Sequence, residues 1–372
     1  MILKVRVLRP IIHVQFGALI SERIGHFAGN TELYLCKRDA GLEGKRTFDI
    51  FYHTGPICNQ QLKKMWDRVL HVSNFGFHLD LHNRRLPGWE KHVIEWAYNA
   101  DRDIHGLLAR MPMHLSFTPG EERQGNSALR ELGIPEGAPF VCFIARDPAY
   151  LDVLFPSKNW NYHDYRDSNI HKYIPGVEEL ARRDYFAVRM GAVVRDELAT
   201  SNPKIIDYAT KARTDFMDIF LSAHCYFFIS DTNGLTGIPM IFRRPIAWVN
   251  CVPLELVPTW GNYDLIIPKK LWLRENRRFL TFREILDSDI GRFSRSEQYE
   301  QAGIDVVENT PEEITALVVE MDERLKGSWQ TTEEDEELQQ RFWSLFKPSE
   351  LHGTIVSRIG AEFLRQNQKL LD

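Results

Sequence analysis

Arg146 and Asp147 follow an apolar run in a way that could build a site for an anion. Residues 138–145 (APFVCFIA) form a short, continuous apolar run that ends at this pair. Such a run is typical of a strand buried on both faces of a parallel sheet. Ligands of open α/β sheets bind outside the carboxyl ends of the strands, and arginine offers a planar fork of donors that suits phosphate. The alternative, an Arg–Asp ion pair that only closes the strand, stays open.

A second polar stretch, residues 230–237 (SDTNGLTG), follows the apolar run at 225–229. A small glycine-bearing turn before a short helix leaves backbone N–H groups that can hold an anion together with the helix dipole. The alternative is a turn whose Ser or Asp only caps the helix. The stretch matches neither Walker A nor GxGxxG, so it predicts neither an NTPase nor a dehydrogenase. Its candidate binding residues are Ser230, Asp231, Thr232, Asn233, Gly234, Thr236 and Gly237.

Two further features could contact the same ligand. Arg189 closes the strand-like run 185–191 and is either a second phosphate partner or a solvated strand end. The tract 162–169 is dense in aromatic and hydrogen-bonding side chains, which favours a substrate loop, with an ordered surface loop as the alternative. Its candidate residues are Tyr165, Arg166 and Asn169.

Candidates for acid–base chemistry lie near the N-terminus, where Glu22 and His26 follow the first predicted strand. Histidine titrates near neutral pH and can take a proton from a hydroxyl group. A single histidine is more often structural, so that alternative is kept.

An alternation of strands and helices must position these residues. Between residues 130 and 270 this alternation predicts a Rossmann-like parallel α/β domain. The predicted strands there are 138–145, 185–191, 225–229, 245–250 and 264–267, and the predicted helices are 170–183, 214–224 and 236–243. The N-terminal part predicts strands at 11–16, 32–36 and 48–53 and helices at 59–71 and 89–110. A linker is predicted at 116–139, and helices at 310–325 and 354–370.

Composition excludes several classes of protein. A chain of 372 residues suggests about two domains with extensions. Its net charge of −5 does not indicate a nucleic-acid binder. We find no signal peptide and no membrane-spanning stretch. The five cysteines are scattered without zinc spacing, which predicts reduced thiols, no metal site and a cytoplasmic location.

Six ordered blocks, spread nearly end to end, resemble a family of bacterial glycosyltransferases associated with surface-polysaccharide gene regions. The blocks are RIGHFAGNTELYL (23–35), NQQLKKMWDR (59–68), RDPAYLD (146–152), YRDSNIHKYIPGVEELARRDYFAVRMG (165–191), SDTNGLTGIPMIF (230–242) and SRIGAEFLRQNQKLL (357–371). They are also distantly similar to the fucosyltransferase-like group of GT-B enzymes, in which a His-x-Arg motif presents its Arg to the nucleotide diphosphate. Arg146 would take that part, but Ile144 stands where the motif has His. This departure weakens a GDP-fucose assignment.

The resemblance implies a GT-B-like α/β fold with two Rossmann-like domains facing a cleft. The expected acceptor domain is 1–130 and the expected donor domain is 131–310. Residues 311–372 are expected to form C-terminal helices, the last of which crosses back to the first domain. The implied reaction moves a sugar from a UDP- or GDP-sugar to a glycan or lipid-linked acceptor, without a metal or other cofactor. Peripheral membrane contact would follow from a lipid-linked acceptor.

In the implied mechanism Arg146, Arg189 and the turn at 230–237 bind the diphosphate of the donor. His26 is the expected general base of an inverting displacement, with Asp147 and Glu22 as alternatives. One rival is a non-catalytic nucleotide- or sugar-binding subunit of a polysaccharide assembly system. Another is a glycan hydrolase or phosphorylase of similar fold that needs no nucleotide.

Overall fold

The structure is a computed structural model that describes residues 6–7, 11–42, 47–96, 100–154, 156–157 and 159–372. The strands are β1 His13–Leu19, β2 Thr47–His53, β3 Val93–Ile94, β4 Phe140–Ile144, β5 Phe186–Arg189, β6 Ile205–Ile206, β7 Phe228–Ser230, β8 Ile246–Cys251, β9 Leu265–Pro268, β10 Lys270–Leu273, β11 Arg278–Phe279, β12 Ile304–Val307 and β13 Arg358–Ile359. The α-helices are α1 Ile24–Asp39, α2 Gln60–Asp67, α3 Asn74–Asn83, α4 Pro119–Glu131, α5 Ala149–Leu154, α6 Ile174–Arg182, α7 Tyr208–Lys211, α8 Asp215–His224, α9 Gly237–Ile241, α10 Phe282–Leu286, α11 Ser296–Gln301, α12 Pro311–Lys326, α13 Glu333–Ser344 and α14 Ala361–Gln366. Among these described residues, no helix combines the length and the apolar character needed to cross a membrane.

The chain folds into two compact units, and both of them draw on several chain segments. Unit 1 contains residues 1–124, 215–223 and 234–243, and unit 2 contains residues 125–214, 224–233 and 244–372. Residues 215–223 and 234–243 therefore belong with the N-terminal part, although the sequence assigned them to the second domain. The C-terminal helices belong to unit 2.

Unit 1 is built on a parallel sheet of three strands in the order β2–β1–β3. Helix α1 connects β1 to β2, as a crossover between parallel strands requires. The predicted strand at 32–36 is wrong, because these residues lie inside α1. Every residue from 27 to 36 in that helix is buried. A helix buried on all sides has no apolar stripe, so its sequence does not show a helical period.

The core of unit 1 joins its three chain segments. Phe27 of α1 and Trp66 of α2 are both fully buried in this core. Ile219 of α8 and Ile238 of α9 are fully buried in the same cluster. These two short segments carry apolar side chains that would otherwise be exposed, and this explains why they belong to unit 1.

Glycine allows α9 to lie close to α1. A Cβ atom on Gly237 would lie 3.1 Å from the Cα atom of Gly25, and one on Gly25 would lie 3.0 Å from the carbonyl oxygen of Gly234. Both are backbone atoms, which cannot easily move aside. The glycines of the predicted anion turn are therefore needed for helix packing.

Unit 2 contains a sheet of seven parallel strands in the order β13–β9–β8–β7–β4–β5–β6. The chain starts this sheet in the middle at β4, builds outward through β5 and β6, and then returns to β7 on the other side. This is the doubly wound arrangement, and its topological switch point lies between β4 and β7. The predicted α/β class with parallel sheets is confirmed in both units.

The rest of unit 2 surrounds this sheet. A small antiparallel sheet has the order β11–β10–β12, and α12 packs against α6 and α14. The predicted start of α12 is confirmed: Thr310 Oγ1 accepts a hydrogen bond from the backbone N–H of Glu313 at 3.2 Å. The single helix predicted at 354–370 is wrong, because residues 358–359 pair with β9 before α14 begins.

Candidate functional site

Arg146 lies at the switch point of unit 2, just beyond the carboxyl end of β4. Its backbone N–H donates a hydrogen bond at 2.7 Å to Asp231 Oδ2, beyond the end of β7. Its guanidinium forms an ion pair with Asp167, and its side chain keeps 11% of its surface exposed. Burial, reinforced by the charge of Arg166, lowers the pKa of Arg146. An arginine still keeps its proton in such surroundings, so a largely buried positive charge is held at the crevice.

A cavity of about 260 Å³ opens beside Arg146. The residues around it include Arg146, Asp152, Trp160, Asn161, Asp164 and Arg195. Arg195 is exposed, and its guanidinium forms no ion pair with the residues that the structure describes. Two arginines and a flat aromatic ring therefore line one cavity of unit 2. Arginine forks suit phosphate oxygens, and an aromatic face suits a nucleobase.

Asp147 fixes two backbone segments beside this cavity. Its Oδ1 accepts a hydrogen bond from the N–H of Ala149 at 2.9 Å. Its Oδ2 accepts one from the N–H of Arg195 at 2.7 Å. Both carboxylate oxygens are therefore engaged, which argues against Asp147 as general base and makes it a positioning residue for Arg195.

The predicted anion turn supports Arg146 from behind. Ser230 and Asp231 are wholly buried, and the amide of Asn233 donates to Ser230 Oγ at 2.7 Å and to Asp231 Oδ1 at 2.8 Å. Burial raises the pKa of Asp231, while its hydrogen bonds from Asn233 and Arg146 act in the opposite direction. Thr232 offers its carbonyl oxygen to Arg166.

The remaining residues of that stretch fall in the other compact unit. Gly234, Thr236 and Gly237 belong to unit 1, whereas residues 230–233 belong to unit 2. Helix α9 has only five residues, so its dipole is short. Residues 230–233 form a turn that fixes the position of Arg146, and the role of the stretch as an anion cradle stays a prediction.

The predicted substrate loop is a structural support in the same way. Asn169 caps the turn that follows it by accepting from the N–H of His171 at 2.9 Å. Lys269 is buried, and its ammonium group donates to the carbonyl oxygens of Tyr165 at 3.0 Å and Asp167 at 2.6 Å. Burial lowers the pKa of Lys269 to about 8. This lysine was missed from sequence, although its place after the apolar run of β9 is the same signal that marked Arg146.

Arg189 does not line the cavity of unit 2. Only 2% of its surface is exposed. Its Nη1 lies 3.4 Å from Asp207 Oδ2 and donates to the carbonyl oxygen of Asp196 at 2.5 Å. Arg189 is almost fully buried and Arg146 lines the cavity in its place, which argues against direct binding of phosphate by Arg189. Arg195, six positions along the chain, has the exposure that such a role needs.

In unit 1, His26 and Glu22 lie near the carboxyl ends of β1 and β2. His26 is in the first turn of α1, not in a loop, and its Nδ1 lies 3.3 Å from Asn30 Oδ1. If that contact is an N–H donated to the amide oxygen, Nε2 is left with a lone pair. Glu22 accepts a hydrogen bond from Thr54 Oγ1 at 3.0 Å. Nε2 of His26 is then able to accept a proton, and Glu22 is held by the side chain of Thr54.

Unit 1 has a cavity of its own, of about 540 Å³, beside the carboxyl end of β2. Its lining includes His53, Lys63, Asp67, His71 and Asn74. Within the described part of the chain neither ring nitrogen of His53 has a hydrogen-bond partner, and burial lowers the pKa of this histidine. The residue is half-buried but its ring nitrogens are buried, and buried polar atoms are costly unless water or a ligand satisfies them. The sequence analysis missed His53, although it ends a predicted strand.

A charged network in unit 1 contains the one group of described residues that could hold a metal ion: Glu32, Cys36 and His114. The position of a cation is already taken there by Arg243. Its Nη2 lies 2.6 Å from Glu32 Oε1 and 3.7 Å from Cys36 Sγ. The network is therefore better explained as a structural ion cluster.

His114 should make the stability of the protein depend on pH. Its two ring nitrogens lie 3.1 Å from Glu32 and 3.0 Å from Asp39. Burial lowers its pKa, but hydrogen bonds to Cys36 and the carboxylates outweigh burial and raise the pKa to about 10. The unfolded value is near 6.5, so the stabilisation is complete below that pH and is lost as pH rises through about 10.

Urea unfolding of the wild type and of His114→Gln at about pH 6 and about pH 10 measures this effect. One pKa unit corresponds to about 1.4 kcal/mol, and solvent screening of this partly exposed group reduces the full effect, so we expect the variant to be less stable at the lower pH by on the order of 3 kcal/mol. The difference should shrink at the higher pH. A difference that stays constant across this range would contradict the assignment.

Comparisons with known proteins give distant structural similarities. The sequence matches no protein-family model and no curated protein. The structure of E. coli ADP-heptose LPS heptosyltransferase II is 12% identical with a TM-score of 0.39, and the match covers 68% of this chain and 90% of that one. A glycosyl transferase family 9 structure from Veillonella parvula DSM 2008 is 9% identical with a TM-score of 0.42, covering 69% and 86%. At this identity and with TM-scores below 0.5, neither similarity decides the function of this chain.

Proposed function

We propose that this protein is a glycosyltransferase that moves a sugar from a nucleotide-diphosphate donor to a hydroxyl group of a glycan or lipid-linked acceptor. The observation that carries the proposal is the cavity at the switch point of unit 2. Arg146 and Arg195 both line it, and Trp160 lines it with them. In this proposal each of the two arginines pairs with one phosphate of the donor, and the indole ring stacks on the base.

The two guanidinium groups of the cavity, which Asp152, Asp164 and Asp167 also line, are assigned to the leaving diphosphate. When the bond between the sugar carbon and the phosphate oxygen breaks, negative charge develops on the diphosphate. Fixed positive groups in a poorly hydrated site stabilise such charge without reorganising at that moment. Arg146 supplies a largely buried charge that pairs with Asp167, while Asp231 holds its backbone N–H. Arg195 supplies an exposed charge.

The acceptor hydroxyl must lose a proton as it attacks the sugar. We assign this proton to Nε2 of His26, since Nδ1 contacts Asn30. The new bond joins the acceptor oxygen to the sugar carbon, the old bond to phosphate breaks, and the proton stays on the imidazole. Direct displacement of this kind inverts the anomeric centre. Glu22, bonded to Thr54, is the alternative base.

A thermal-shift screen against UDP-, GDP- and ADP-sugars tests the proposal. A ligand at a hundredfold excess over its Kd stabilises the folded protein by about 2.7 kcal/mol. We expect the nucleotide sugars of one nucleobase to raise the melting temperature accordingly. Arg195→Ala should reduce the shift, because it removes the exposed arginine of the cavity. Stabilisation by free glycans and by none of the nucleotides would instead favour a hydrolase or a phosphorylase.

Binding without turnover would have a different meaning. A wild-type protein that binds a nucleotide sugar but neither transfers nor hydrolyses it, with any acceptor tried, would favour a non-catalytic binding subunit. A labelled donor sugar and separation of products by mass spectrometry distinguish the two outcomes.

A further inference from the structure

Lys269 is a buried cation that no step of the proposed reaction uses. It lies directly after β9, at the carboxyl edge of the seven-stranded sheet, and only 5% of its surface is exposed. Its backbone N–H donates to the carbonyl oxygen of Cys251, at the end of β8, at 3.0 Å. Burying an ammonium group is costly unless hydrogen bonds compensate for the lost water, so the partners of this group indicate what it does.

The ammonium group of Lys269 binds one loop of unit 2. We use the name crevice loop for residues 160–169. Lys269 Nζ donates to the carbonyl oxygen of Tyr165 at 3.0 Å and to that of Asp167 at 2.6 Å. The carboxylate of Asp167 forms the ion pair with the guanidinium of Arg146. Lys269 is therefore connected to the arginine of the cavity through a single residue of the crevice loop.

The crevice loop forms one side of the donor cavity, and its members there are Trp160, Asn161, Asp164 and Asp167. Other hydrogen bonds of the loop come from its own backbone. The N–H of Ser168 donates to the carbonyl oxygen of Arg146 at 3.2 Å, and the N–H of Asn169 donates to Glu308 Oε2 at 3.0 Å. A change at Lys269 therefore acts on the residues that shape the cavity.

The protonation of Lys269 is sensitive to pH within the range in which proteins are handled. Burial lowers the pKa of its ammonium group from 10.5 to about 8. The charged groups around it act in both directions: Glu308 and Asp231 raise this pKa, whereas Lys172 and Arg146 lower it. Below that pH the lysine donates charge-assisted hydrogen bonds, which are roughly twice as strong as neutral ones. Above it a neutral amine donates weaker bonds to the same two carbonyl oxygens.

We propose that Lys269 is a positioning residue for the donor cavity: its charged form holds the crevice loop in place and, through Asp167, fixes the guanidinium of Arg146. This inference rests on the proposed function, because it concerns the same cavity. The lysine acts through the loop and not on the donor, since its hydrogen bonds go to loop carbonyl oxygens. Loss of its proton loosens the loop and weakens donor binding.

Donor affinity at about pH 7 and about pH 9 tests the role of the proton. The probes are UDP-glucose, GDP-mannose and ADP-glucose, whose diphosphate groups keep a constant charge over this range. We expect the wild type to bind its donor about tenfold more weakly at the higher pH. Lys269→Met should bind about tenfold more weakly than the wild type already at the lower pH. Lys269→Arg keeps its proton, so its affinity should not change between the two.

The Lys269→Arg variant also separates this effect from other titrating groups. His163 lies in the crevice loop, where its ring stacks on Trp160, and any effect of its titration would persist in Lys269→Arg. A decline of affinity with pH that is the same in this variant and in the wild type would overturn the proposal. So would a wild-type affinity that is equal at the two pH values.

Amide hydrogen exchange of the ligand-free protein measures the loop directly. The N–H of Tyr165 donates to Ser296 Oγ at 3.2 Å, and that of Ser168 is also hydrogen-bonded, so both should be protected in the wild type. Exchange reports the opening of such local structure. At one common pH, we expect the peptide that contains both residues to exchange at least about tenfold faster in Lys269→Met.

The matched control is Lys204→Met. Lys204 also belongs to unit 2, and its Nζ donates to a backbone carbonyl oxygen, that of Ala181, at 3.2 Å. Its donor affinity and loop exchange should equal those of the wild type, and circular dichroism should show all variants folded. Wild-type exchange of the crevice loop in Lys269→Met would overturn the proposal. If no nucleotide sugar binds the wild type, the proposed function fails, and the exchange measurement alone decides whether Lys269 holds the loop.

Discussion

Arg146→Ala should weaken binding of the nucleotide-sugar donor by roughly 10- to 100-fold and slow transfer further. Hydrogen bonds to charged groups contribute about 1.5–3 kcal/mol, which gives that range in Kd. Removing a group that stabilises charge in the transition state lowers kcat by about 10²–10³-fold. Isothermal titration measures the first effect, and product formation at saturating donor measures the second.

Two further variants make this result specific. Arg182→Ala removes an arginine from α6 of the same unit, where its side chain is 67% exposed and pairs with Glu179, and donor binding should stay unchanged. Arg146→Lys keeps the charge but loses the fork, so it should recover only part of the affinity. Wild-type affinity in Arg146→Ala would remove this residue from the donor site. Since Arg146 also pairs with Asp167, thermal unfolding must show that the variant is folded.

His26→Gln should slow sugar transfer by about 10²–10⁴-fold while leaving donor affinity near the wild-type value. This is the usual contribution of a positioned general base. Glutamine fills a similar space and can still contact Asn30, but it cannot accept a proton near neutral pH. Single-turnover measurement with saturating donor and acceptor reports the chemical step without interference from product release.

The control for this variant is His105→Gln, which replaces an exposed histidine of the same unit. Its rate should equal that of the wild type. If His26→Gln also transfers at the wild-type rate, the base is another group. The same measurement on Glu22→Gln and on His53→Gln would then identify it, because both lie near the carboxyl ends of strands in unit 1.

The sequence predicts the fold well where strands are buried in the middle of a parallel sheet. The predicted strands at 138–145 and 245–250 match β4 and β8, because both are short apolar runs with polar ends. It fails where burial hides the period of a helix, as in α1 at 32–36. It also places α8 and α9 in the wrong half, since the partner of an apolar helix face is not recorded in local sequence.

The residues of the candidate site were likewise predicted only in part. Position at the end of a buried strand was enough to select Arg146. The same rule selected Arg189, which faces Asp207 instead. Which arginine faces a cavity depends on the path of the loop after β5, and this is decided by long-range hydrogen bonds such as that from Arg195 to Asp147. Asp231 was selected as a ligand contact, yet it is wholly buried beneath the residue that it holds.

The core of unit 1 has a consequence for how this protein is made. Its last contributing segment ends at residue 243, so a ribosome must synthesise nearly two thirds of the chain before the N-terminal unit can close its core. Until then the apolar surface of α1 lacks Ile219 and Ile238, and it is open to chaperones or to aggregation. For the same reason a fragment that ends near residue 124 should be insoluble when it is expressed alone.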